Sequence, residues 1–292
     1  MAYPKFSGTG VALVTPFAID GSIDFTALKQ LVDHCIDGGV DFLVALGTTA
    51  ETPTLSQEEK AAVLATIVAQ NNRRVPLVCG VGGNNTAEVV AHLQPFHLQG
   101  VDAILSVAPY YNKPTQEGIY RHFKAIAAAT ELPVILYNVP GRTVTNILPQ
   151  TVLRIAADCP NVIAIKEASG NLAQCMELIA ARPEGFTVLS GDDNLVVPQI
   201  AVGMEGVISV AANCYTRLFC GMVKAALGGD FSQARSLHYK LLKGIDLLFA
   251  EGNPAGVKAV LAQMGLIQNV VRLPLVEASE SLQAALMAEG LV

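Results

Sequence analysis

Short apolar, β-branched runs alternate along this chain with longer segments whose apolar residues return every three or four positions. The first pattern suits strands buried on both faces, and the second suits helices packed along one side. Strands are expected at about residues 9–14, 41–46, 75–81, 103–108, 133–139, 162–167, 187–190 and 206–210. Helices are expected after them at about 24–37, 56–70, 86–99, 115–130, 149–157, 171–181, 194–202 and 215–227. Ser56 ahead of Glu59, and Thr115 ahead of Gly118 in a weaker form, read as helix-opening caps.

Sustained alternation predicts a parallel sheet, because every parallel strand needs a crossover. Eight units of roughly 25–30 residues suit an α/β fold of the closed (β/α)8 TIM-barrel kind. An open doubly wound sheet competes, but the Gly-rich phosphate turn it usually carries is missing from GTGVALVTPF (8–17). Beyond that the pattern changes: 231–249, 254–264 and 281–288 read as helices with no strands between them. The expected division is a barrel over 1–229 and a helical C-terminal extension over 230–292.

Composition narrows the picture. Of 292 residues, 51 % are hydrophobic and only 15 % charged, which excludes a disordered chain. Nineteen basic against 25 acidic residues give a net charge of −6, and no basic run occurs, so nucleic acid and anionic membrane are not expected partners. No apolar stretch reaches the ~18 residues of a membrane span, and MAYPKFSGTG lacks the apolar core of a secretion signal. A cytoplasmic protein is expected. Cys35, Cys79, Cys159, Cys175, Cys214 and Cys220 form no C-x-x-C pair and read as buried small hydrophobes. The histidines avoid metal-ligand spacing, and His92 and His97 are expected on a helix surface. So little charge also suggests surface hidden in an oligomer.

In such a barrel the reactive groups sit at the C-terminal strand ends. There the chain carries GTTAET (47–52), PYYNKP (109–114), YNVPGRT (137–143) and VIAIKEASGN (162–171). Alternation in the last places Ile163 and Ile165 toward the helices, and Ala164, Lys166 and Ala168 toward the barrel interior. An interior lysine loses hydration of its charged form, which favours a neutral amine able to attack a carbonyl and form a Schiff base. The plainer reading is a lysine ion-paired to Glu167 or to another carboxylate. Thr48, Thr49 and Tyr137 could shuttle the protons of iminium formation, or serve as turn residues and a core aromatic. Tyr110 and Tyr111 suit an oligomer contact equally well. Arg142 suits a carboxylate clamp or a solvated loop.

Read together and in this order, ALVTPF (12–17), GTTAET, PYYN, YNVPGRT, IKEASGN, LSGDD (189–193) and GVISVAAN (206–213) resemble the pyruvate-dependent class I aldolase and lyase family typified by dihydrodipicolinate synthase and N-acetylneuraminate lyase. The resemblance spans nearly the whole chain. The paired threonines, the PYYN tyrosine and the PGRT arginine lean toward its synthase branch. It implies condensation of pyruvate with L-aspartate 4-semialdehyde, with no metal or organic cofactor, in a homotetramer built from two dimers. It implies that Lys166 forms the iminium and that Thr48, Tyr137 and Tyr111, the last from a neighbouring subunit, relay protons. Thr49 and Ile208 would hold pyruvate and Arg142 the acceptor's carboxylate. Ala50 stands where the family usually has glycine, so this turn must avoid positive φ there.

The resemblance further implies a feedback site for L-lysine, formed by Thr52, Pro53, Gln57, Lys60, Asn84, Glu88 and Tyr110 at a dimer cleft. Gln57 and Lys60 replace residues that are often histidine in sensitive members, and a cationic Lys60 disfavours another ammonium nearby. Feedback is therefore expected to be weak or absent. Two other functions compete: another aldolase of the family, acting on 2-keto-3-deoxy sugar acids or 4-hydroxy-2-oxoglutarate, and a non-catalytic barrel that only binds keto acids or regulates a partner.

Overall fold

The computed structural model describes residues 6–93 and 98–291. Eight parallel strands, β1 (Gly8–Ala12), β2 (Phe42–Ala45), β3 (Leu77–Gly80), β4 (Ala103–Val107), β5 (Val134–Asn138), β6 (Val162–Glu167), β7 (Thr187–Ser190) and β8 (Gly206–Ser209), pair in chain order. Pairing of β8 with β1, Gly206 beside Gly8 and Ile208 beside Gly10, closes the barrel. The chain is a (β/α)8 TIM barrel.

Alternation along each strand divides the core in two. Val11, Leu43, Ala45, Leu77, Cys79, Ile104, Leu136, Ile165 and Val188 face the surrounding helices. Ala12, Phe42, Val44, Val78, Leu105, Ile135, Ala164, Leu189 and Ile208 fill the barrel. Phe6, just ahead of β1, meets the Phe42 ring edge-on at 5.4 Å between centroids, and packs at the N-terminal end of that filling. The barrel is thus a packed core whose open chemistry is left to the opposite end.

One interior assignment fails. Ile163, expected among the helices, packs against the inner cluster instead. The β5–β6 register steps from Val134 beside Val162 to Ile135 beside Ala164, so Ile163 is the extra residue of a bulge. The bulge absorbs the change of face, and Ala164, Ile165 and Lys166 keep theirs.

The barrel helices are Phe25–Asp37, Gln57–Asn71, Thr86–Ala91, Gln116–Ala128, Pro149–Asp158, Leu172–Ala181, Val196–Ala201 and Thr216–Leu227. Ser56 and Glu59 form a complete capping box, and the Thr115 hydroxyl accepts from the Gly118 N–H at 3.3 Å. Each such cap satisfies a donor that the first helical turn leaves free. The helix expected over 86–99 is described as Thr86–Ala91, with His92 exposed at its end; residues 94–97, His97 among them, lie outside the described residues. All six cysteines are free thiols and buried.

Three further helices follow, Phe231–Phe249, Ala255–Gln263 and Glu280–Ala288. The first packs along Thr216–Leu227, and the second reaches the 3-10 turn Ala211–Asn213 after β8. Their apolar residues, such as Leu241, Leu248, Val257, Leu261 and Leu286, join the outer core cluster. No helix among the described residues is long and apolar enough to cross a membrane.

Candidate active site

Lys166 is 5 % exposed, on the inner face of β6. Its room comes from small neighbours: Ala164 precedes it on that face, and at Gly191 a Cβ would stand 2.9 Å from Lys166 Cε and 2.4 Å from Ala168 Cβ. Tyr137 is its register partner on β5, and Lys166 Nζ lies 4.4 Å from the centre of that ring. Tyr137 is itself 7 % exposed and belongs to the interior cluster. Lys166 Nζ forms no ion pair or hydrogen bond among the described residues.

The pairing of Lys166 with Glu167 does not occur. Adjacent strand residues point to opposite faces, and Glu167 turns outward. Its carboxylate accepts from Asn138 Nδ2 (3.0 and 3.2 Å), Gln174 Nε2 (3.0 Å) and the Ser169 N–H (2.8 Å). Burial pushes its pKa up despite these donors.

The other expected groups stand at the same end of the barrel. Thr48 and Thr49 lie in a 3-10 turn, Thr48–Ala50, directly after β2. Thr49 is buried, and its hydroxyl accepts from Asn253 Nδ2 at 3.0 Å. Ala50 avoids positive φ as required; the left-handed residue is the next one, Glu51, at φ +54°. Ile208 on β8 lies within the interior cluster. Arg142 is exposed in the short helix Pro140–Thr143 after β5. Tyr111, after β4, is 88 % exposed with φ +70°, so in a single chain it is uncovered.

Two acids that the LSGDD motif carries without an assigned role also reach this region. Asp192 accepts from the Gly170 N–H at 3.2 Å, and burial raises its pKa, with the Lys166 charge working the other way. Asp193 accepts from the Val210 and Ala211 N–H groups at 2.9 and 2.8 Å, and burial pushes it up to about 6. Asn253 was not foreseen either. Nothing local marks it, since its partner Thr49 lies 204 residues away.

The residues expected at the feedback site fall into two groups. Thr52, Gln57 and Lys60 line a cavity of about 760 Å3 beside helix Gln57–Asn71. Asn84 donates from Nδ2 to the Tyr110 carbonyl at 3.1 Å, apart from that cavity's lining. Glu88 and Pro53 are exposed.

The model of the dihydrodipicolinate synthetase family matches residues 5–289. A 4-hydroxy-tetrahydrodipicolinate synthase from Flavobacterium psychrophilum is 56 % identical over 277 residues, covering 95 % of this chain and 94 % of its own. A crystal structure of the dihydrodipicolinate synthase from Aquifex aeolicus superposes with a TM-score of 0.93 at 41 % identity, covering 97 % of this chain and 96 % of its own. The chloride-inhibited enzyme from Acinetobacter baumannii, solved with pyruvate, superposes with a TM-score of 0.95 at 40 % identity, over 99 % and 100 % of the two chains.

Proposed function

The chain belongs to the dihydrodipicolinate synthetase family, and on that premise we propose that it condenses pyruvate with L-aspartate 4-semialdehyde through a Schiff base on Lys166. The observation that carries this reading is the buried Lys166 amine, 4.4 Å from the centre of the Tyr137 ring and unpaired by any carboxylate among the described residues. The amine attacks the pyruvate ketone, and the carbinolamine loses water to give an iminium. Loss of a methyl proton then yields an enamine, which adds to the aldehyde carbon. Attack by the acceptor's amino group on the iminium carbon closes the ring and frees Lys166. One water is released overall, and the product is 4-hydroxy-tetrahydrodipicolinate.

In this reading Tyr137, Thr48 and Tyr111 carry protons to and from the carbinolamine oxygen. Thr49 and the Ile208 backbone hold pyruvate, and Arg142 holds the acceptor's carboxylate, for which its fork of donors is suited. Tyr111 acts from a neighbouring subunit, in a homotetramer of two dimers. Its exposure and its positive φ, costly for a bulky residue, support a side chain set up for a partner. The cavity that holds Thr52, Gln57 and Lys60 is also lined by Arg73 and His92 and, among the described residues, by no carboxylate, which supports weak or absent feedback by L-lysine.

Borohydride reduction with pyruvate tests the chemistry. A pyruvyl mass at Lys166, absent from Lys166→Met, is expected; no adduct would leave a binding protein. Aspartate semialdehyde should then outcompete glyceraldehyde as acceptor in a coupled assay. The reverse preference would move the chain to the sugar-acid aldolases.

A further inference from the structure

Glu167 is 0 % exposed and has no cation beside it among the described residues. A buried carboxylate is costly unless donors surround it, and the donors here belong to a larger assembly. Asn138 Nδ2, which serves Glu167, also donates to Asn146 Oδ1 at 2.7 Å. Asn146 Nδ2 donates to Gln174 Oε1 at 2.9 Å, and Gln174 Nε2 returns to Glu167 at 3.0 Å. Asn138, Glu167 and Gln174 are all buried.

This ring holds a loop by both ends. Val139 follows Asn138 in the chain, and the Ile147 N–H comes back to Asn138 Oδ1 at 2.9 Å. Between these feet run Pro140–Thr143, which carries Arg142, and Val144, a β-branched residue at φ +55°. Such a conformation persists only where its surroundings impose it. Thr143 Oγ1, bonded to the Val139 and Thr145 carbonyls at 3.1 and 2.8 Å, braces the excursion from inside. The Arg142 guanidinium is exposed and appears in no hydrogen bond or ion pair among the described residues, while the Arg142 N–H donates to the Val139 carbonyl at 2.9 Å, so the side chain's position depends on the loop.

We propose that Glu167 and Gln174 are positioning residues for Arg142, acting through Asn138 and Asn146 to set where the acceptor's carboxylate is gripped. This rests on the role given to Arg142 above. Gln174 makes the cleaner probe, because it sits on helix Leu172–Ala181 rather than on the lysine strand.

The test separates the two substrates. Displacing a clamp by a fraction of an ångström to an ångström costs between about tenfold and a hundredfold. Gln174→Leu and Glu167→Gln should raise KM for aspartate semialdehyde by such a factor. KM for pyruvate and the borohydride-trapped adduct at Lys166 should stay within about twofold of wild type. In an Arg142→Ala background Gln174→Leu should cost nothing further, which a general loss of structure would not reproduce. If either variant fails to fold, Asn146→Ala opens the same ring. The proposal is overturned if acceptor KM is unchanged, if both KM values rise together, or if the losses add in the double variant. Should Arg142→Ala itself leave acceptor KM untouched, the arginine's role falls and this inference with it; an effect of Arg142→Ala alone removes only the positioning.

Discussion

Lys258→Met offers a severe check on how the C-terminal helices are held to the barrel. Lys258 and Glu51 are both 0 % exposed at the side chain, with Nζ 2.5 Å from Oε1. Nζ also donates to the Val270 carbonyl at 2.9 Å and lies 4.1 Å from the centre of the Phe17 ring. Burial lowers the Lys258 pKa to about 8, and Glu51 acts against that shift. Methionine keeps most of the stem's packing but leaves the Glu51 carboxylate buried with only the Arg272 N–H, at 2.9 Å, as a described donor. Removing one partner of a buried pair costs about 3–5 kcal/mol. At roughly 2 °C per kcal/mol for a chain of this size, the melting midpoint should fall by roughly 6–10 °C. Replacing both charges, as in Glu51→Gln with Lys258→Met, should return stability to within about 1–2 kcal/mol of wild type, since the desolvation cost disappears along with the attraction. Calorimetry at one fixed protein concentration is the assay, because assembly would shift the midpoint by mass action. A single variant as stable as wild type, or a double variant no better than the single, would refute the account of this pair.

Acid sensitivity provides a second check. His122 is buried, with Nε2 unpartnered among the described residues and Nδ1 2.8 Å from Thr86 Oγ1, and burial lowers its pKa to about 4. Its folded value lies below the unfolded one, so the stability tied to it is complete above about pH 6.5. That stability is lost as pH falls toward 4, by at most about 1.4 kcal/mol per pH unit. Asp193, raised to about 6, has the opposite slope over part of this range, so the informative quantity is the difference between wild type and His122→Phe. Parallel stability curves from pH 7 to 4 would show that His122 does not titrate as stated. Tyr111→Phe should lower turnover strongly while the pyruvate adduct still forms at Lys166; unchanged turnover would remove the inter-subunit relay. Added L-lysine should inhibit weakly or not at all, and an inhibition curve reaching a low plateau below millimolar lysine would overturn that expectation.

What could be read from the chain was whatever depends on near neighbours. The eight strands, the caps at Ser56 and Thr115, and the inward turn of Lys166 between Ala164 and Ala168 all follow from periodicity over a few residues. The bulge at Ile163 does not, because it is a property of the β5–β6 register and needs both strands at once. Asn253 reaching Thr49, and Lys258 reaching Glu51, join segments about two hundred residues apart, and no local pattern announces such contacts.

Glu167 shows how much the face of a strand decides. From the sequence alone, a lysine followed by a glutamate reads naturally as an ion pair, and the charges are in fact only one residue apart. On a strand that single step is the difference between barrel interior and helix layer. The amine therefore meets Tyr137, while the carboxylate meets three amide-type donors from β5, from the loop after β6 and from helix Leu172–Ala181. Had the two paired, Lys166 would be held by its own neighbour and would have to break that contact to reach a ketone. Their separation leaves the lysine free of any such partner, and leaves the glutamate free to organise the loop that carries Arg142.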